Sequence, residues 1–97
     1  MQLAASSICW AEFLCGPFDT SHVEHLQQIL GIPVPFTAED SALAANLFKV
    51  SGRRPGSFVD CMIAATAIRE KATLATANLS DFNKFQSSGL TLEKVQV

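Results

Sequence analysis

Apolar and polar positions along this chain fall into blocks whose spacing separates helices from strands. Ala4 to Trp10 reads as a short buried strand, after which "AEFLCG" turns helical and is terminated by Gly16 and Pro17. A second helix is capped by Ser21, with Glu24 three residues later; Val23, Leu26, Ile29 and Leu30 form its apolar face, and Gly31 ends it. After the extended piece "IPVPF", Thr37 opens a third helix with Asp40 at capping-box distance; Leu43, Leu47 and Val50 keep the apolar spacing until Gly52. The loop "RRPG" leads to Ser57, which caps a helix running to Lys71. "TLAT" is then a compact strand and "LTLEKV" a last, alternating one. Strands separated by helices predict an α/β layer structure with a mainly parallel sheet.

Composition narrows the picture. The 97 residues suit one small domain, and no repeat, linker or low-complexity tract divides them. At 48% hydrophobic and 16% charged residues, the chain is too apolar for a disordered protein. It has no run approaching the ~20 apolar residues of a membrane span and no signal-peptide pattern at its start, which gives the expectation of a cytoplasmic protein without a membrane partner. Cys9, Cys15 and Cys61 are odd in number and lack C-x-x-C spacing, so they read as reduced core residues. A net charge of −2 excludes a protein that coats nucleic acid by bulk charge; any such contact is local.

Against this background three carboxylates stand out. Asp60 opens an Ala-rich helix whose apolar residues face several directions, and Ala64 and Ala67 on its own side leave room for a ligand. Glu12 follows the first strand among apolar neighbours, and Asp81 follows "TLAT". Each has an ordinary reading too. An acid in a first helical turn complements the helix dipole by ~0.3–1 kcal/mol, "NLSDF" fits an ordinary cap, and Glu12 fits a solvent-facing first turn. Taken together the positions change weight, because parallel strands end at one sheet edge and sites collect there. Three converging carboxylates would hold protons unless a divalent cation intervened, and oxygen ligands without Cys or His favour Mg²⁺ or Mn²⁺. Such an ion suits phosphodiester hydrolysis.

The runs "SSICWAEFLCG" and "GSFVDCMIAATAIREKATLATANLSDFNKF" resemble the PIN-domain family, most closely its VapC-type toxin ribonucleases, over nearly the whole chain. The resemblance implies a PIN-like three-layer α/β domain, with Glu12, Asp60 and Asp81 on acidic metal-site positions and Thr76 and Asn78 on the polar positions beside the last acid. It implies Mg²⁺-dependent cleavage of RNA and a cognate antitoxin as partner. Family members open with a strand carrying an Asp in a pattern like "LLDTNV", and these residues contain no such segment. The expectation is therefore a partial domain, missing the first strand and its carboxylate, whose exposed strand edges lead to a homodimer or higher oligomer. The rival is a catalytically inactive domain that works through antitoxin binding or oligomerisation.

Secondary candidates are fewer. Arg53 and Arg54 could clamp a phosphate or form a solvated basic loop. His22 and His25 lie three apart without a further ligand motif and read as solvent-facing, and Trp10 and Phe13 read as core packing rather than a base-stacking platform.

Overall fold

The computed structural model describes residues 4–76 and 78–94. Its elements are α1 (Ser7–Leu14), α2 (Thr20–Leu30), α3 (Ala38–Val50), α4 (Phe58–Arg69), β1 (Thr73–Thr76), α5 (Leu79–Phe82) and β2 (Thr91–Lys94), with a 3₁₀ stretch over Asn83–Ser88 before β2. β1 and β2 pair in parallel, with Thr73 opposite Thr91 and Thr76 opposite Lys94. The α/β expectation of helices packed on a parallel sheet therefore holds. Val95, the last residue of the strand expected from "LTLEKV", lies outside the described residues.

The first element departs from expectation. Ala4 to Trp10 is not a strand: only Ser6 pairs, in a single parallel bridge to Val34, and the chain is helical from Ser7. Local chemistry explains the change. The Ser6 hydroxyl accepts the Cys9 N–H at 3.1 Å, an N-cap that commits the following run to a helix, and short apolar runs do not by themselves separate strand from helix. α2 is likewise capped two residues earlier than expected. The Asp19 carboxylate accepts the His22 N–H at 3.0 Å and the Ser21 hydroxyl at 2.6 Å, so Ser21 serves the cap instead of being it. His22, 70% exposed, sits beside Asp19.

The centre of the molecule is the α3–α4 contact. Ala44 and Leu47 of α3 meet Cys61, Ala64 and Ala65 of α4, with Phe82, Phe85 and Leu90 completing the buried cluster. Small residues on α4 allow close helix approach, which is why Ala64 is buried rather than open beside Asp60. The expectation that α4 is buried around most of its circumference fails in its first turn, where Phe58 and Val59 are exposed. Of the α3 apolar positions, Leu47 is fully buried and Val50 exposed. Among the cysteines, Cys61 is buried, Cys9 half-buried and Cys15 exposed, so only the first two match the core reading.

Trp10 and Phe13 pack on each other at 5.3 Å between ring centroids, and Phe13 on Phe18 at 4.4 Å. This row lies outside the buried cluster, since α1 contains no fully buried residue. Gly16 permits it: a Cβ there would lie 2.6 Å from the Phe18 ring. Among the described residues no helix is long and apolar enough to cross a membrane.

One polar group joins the core. Asp40 is completely buried; its carboxylate accepts the Thr37 N–H at 2.9 Å while Thr37 Oγ1 accepts the Asp40 N–H at 3.2 Å, the capping box expected from the sequence. The same carboxylate also takes Arg69 Nε at 2.6 Å and the Thr66 hydroxyl at 3.3 Å from α4, and Arg69 donates onward to the Pro35 carbonyl at 3.0 Å. Burial pushes the Asp40 carboxyl up, but the Arg69 guanidinium and the Thr37 and Thr66 donors outweigh it and hold the group below the usual carboxylate range.

Candidate metal and phosphate site

Asp60 and Asp81 come from opposite ends of the α4–β1–α5 unit. Asp60 sits in the first turn of α4, positioned by the loop before it: Gly56, at φ 83°, turns the chain, and the buried Ser57 hydroxyl donates to the Arg54 carbonyl at 2.8 Å. The expected side-chain cap at Ser57 is absent because its hydroxyl is committed to that loop. Asp81 lies on α5, which begins just beyond the C-terminal end of β1. The two carboxylates line one cavity of about 220 Å³, together with Arg54, Ser57 and Lys84. Ala64 and Ala67, which the sequence placed beside Asp60, do not line it; the space is made by the loop before α4 and by α5 instead.

Thr76 and Asn78 form a short chain of contacts that holds Asp81. The Thr76 hydroxyl accepts the Asn78 N–H at 3.0 Å, and the Asn78 amide donates to the Asp81 carboxylate at 2.5 Å. Ser80 donates in turn to the Asn78 carbonyl oxygen at 3.2 Å. Asn78 is thus fixed on both sides, and its NH₂ can point only one way, toward Asp81.

Glu12 is exposed on α1 and is not among the cavity-lining residues, though its charge reaches Asp60. Arg53 is exposed, at φ 52°, and outside the lining, whereas Arg54 is part of it. Lys84 is the residue that sequence reasoning missed. It lies three residues after Asp81 with its ammonium 5.2 Å from the Phe85 ring centroid, and the only available signal was one cation at helical spacing from an acid.

The electrostatics of the cavity point one way. Desolvation and the negative charges of Asp81 and Glu12 raise the Asp60 carboxyl above its ordinary range, and Lys84 only partly opposes them. A cation between Asp60 and Asp81 would relieve this repulsion. Among the described residues no group of three His, Cys, Asp or Glu side chains is placed to hold a metal. The donor set is two carboxylates with room for water, which fits Mg²⁺, an ion held through one or two carboxylates while keeping much of its hydration.

Comparison with known proteins follows the same lines. The family model described as PIN domain matches residues 2–86. Among solved structures, the chain is similar to a chain of VapBC2 from Rickettsia felis, crystallised bound to a DNA fragment from its promoter. The two are 27% identical with a TM-score of 0.75, over 96% of this chain and 74% of that one. No curated protein matches the chain.

Proposed function

The chain belongs to the PIN-domain family, and on that premise we propose that it is a VapC-type endoribonuclease that hydrolyses RNA phosphodiester bonds with a carboxylate-held Mg²⁺ or Mn²⁺. The observation that carries this reading is the meeting of Asp60 and Asp81 in one polar cavity with Arg54 and Lys84 beside them. Asp60 and Asp81 would hold the ion, with Glu12 adding negative charge from α1. When bound, the ion supplies activation of water and charge stabilisation at the phosphoryl group. Asn78, held by Thr76, keeps the Asp81 carboxylate oriented. Arg54 and Lys84 are suited to bind non-bridging phosphate oxygens, which would hold a scissile bond against the carboxylates. By likeness to the VapBC2 assembly, a cognate antitoxin is the proposed protein partner; further copies of the chain and a cytoplasmic location are proposed from the sequence alone.

A second reading is favoured by one observation: among the described residues only two carboxylates line the cavity, and Glu12 stands outside it. A chain with a site too weak for turnover would act by occupying an antitoxin. Incubating a mixed structured and single-stranded RNA with the purified chain, in Mn²⁺ or EDTA and beside Asp60→Asn, separates the two. Cleavage lost in both controls is the expected result. Intact RNA at high protein and metal, with an antitoxin still captured, would favour the inactive reading.

A further inference from the structure

Arg53 and Arg54 are neighbours in the sequence, yet only Arg54 lines the cavity that holds Asp60 and Asp81. The loop between α3 and α4 makes the distinction. At its start, Gly52, at φ 97°, donates its N–H to the Lys49 carbonyl at 3.3 Å, and Arg53, at φ 52°, donates to the Phe48 carbonyl at 2.9 Å, so Arg53 belongs to the closure of α3. Arg54, Pro55, Gly56 and Ser57 then form a tight turn of their own. Ser57 N–H donates to the Arg54 carbonyl at 3.1 Å, Pro55 takes the second position, which favours proline, and Gly56, at φ 83°, takes the third, where a type II turn needs a positive φ. The Ser57 hydroxyl donates to the same carbonyl at 2.8 Å, so the Arg54 main chain is held twice by one residue.

Ser57 is 5% exposed and immediately precedes α4, so this double hold ties Arg54 to the helix whose first turn carries Asp60. The hydroxyl makes no cap bond to α4; its bond to Arg54 is what a substitution would remove. Arg54 is itself exposed, which leaves its guanidinium free to meet a ligand while its main chain is fixed. An arginine on a loose loop loses main-chain and side-chain freedom together when it grips an anion, whereas one on a preformed turn has only its side chain left to order. We propose that Ser57 is a positioning residue, which through the Arg54 carbonyl holds that arginine beside Asp60 as a preformed grip for an RNA phosphate. The inference rests on the reading of the cavity as a phosphodiester site and adds that the turn builds the grip.

The test is binding of a single-stranded oligoribonucleotide to the full 97-residue chain in Ca²⁺, titrated at several salt concentrations. Arg54→Ala is expected to weaken binding about tenfold and to lower the slope of log affinity against log salt by about one. Ser57→Ala keeps the charge and loses the hold, so it is expected to weaken binding about threefold with the slope unchanged, and Ser57→Thr, which keeps the hydroxyl, to restore it. Gly56→Ala should match Ser57→Ala. An added Cβ there meets nothing within 4 Å and acts only through the positive φ, so this variant carries the test if Ser57→Ala does not fold. In an Arg54→Ala background neither change should weaken binding further. A loss that persists in that background would overturn the inference, because Ser57 would be acting through the fold or through Asp60. Full binding by Ser57→Ala and Gly56→Ala beside a weakened Arg54→Ala would overturn it too, and would leave the phosphodiester site standing. Full binding by Arg54→Ala would remove the grip itself, and RNA cleavage in Mn²⁺ would then decide the nuclease reading separately.

Discussion

Asp60 is held in a cavity that disfavours its charge, so its removal has opposite effects on stability and on metal binding. Because its carboxyl is raised in the folded protein, the group destabilises the fold increasingly as pH rises from its ordinary value near 3.9 through the raised one. Without metal, Asp60→Asn is therefore expected to raise the melting temperature at neutral pH. The gain should vanish below about pH 3.9, and thermal melts in EDTA across pH would read it. The same variant should lose Mn²⁺ binding in calorimetry. Lys84 works in the other direction. Lys84→Ala is expected to weaken RNA binding similarly for all sequences and to reduce the slope of log affinity against log salt by about one, measured in Ca²⁺ to prevent turnover.

At the scale of elements, the Asp40 carboxylate joins the start of α3 to the end of α4, and Arg69 extends the link to Pro35. Truncation leaves the Thr37 N–H and the Thr66 hydroxyl without this partner, so Asp40→Ala is expected to cost about 1–3 kcal/mol in urea unfolding. The pH dependence has a fixed sign. Asp40 is depressed in the folded state, so its contribution is complete above its ordinary value near 3.9 and is lost as pH falls through the lowered one. Asp40→Asn should therefore flatten the fall in urea midpoint below about pH 4 relative to the parent chain.

For the whole molecule, the metal and the fold are linked through the placement of Asp60 and Asp81 on separate elements. An ion bound by both would hold α4 and α5 together and stabilise only the folded state. At a metal concentration about a hundred times its dissociation constant, the gain is about 2.7 kcal/mol, or about 10–20 °C in melting temperature for a domain of this size. Mn²⁺ addition followed by EDTA should produce and then reverse that shift, and a chain whose melting ignores Mn²⁺ would lack the proposed site.

Sequence by itself determined the α/β class, the Thr37–Asp40 capping box, the ends marked by Gly31 and Gly52, and the strand "TLAT", because each depends on neighbours within a few residues. It also singled out Asp60 and Asp81 and, through the family resemblance, Thr76 and Asn78; the contacts of Thr76, Asn78 and Asp81 run along a short stretch of chain, whereas Asp60 reaches Asp81 only across the cavity. Tertiary structure decided the rest. Whether Ala4–Trp10 was strand or helix turned on the Ser6 cap and the absence of strand pairing beyond one bridge to Val34. The second role of Asp40 depended on Arg69, twenty-nine residues away. The exclusion of Glu12 from the cavity and the entry of Lys84 both follow from how the elements pack in three dimensions, a matter of distance that local spacing does not encode.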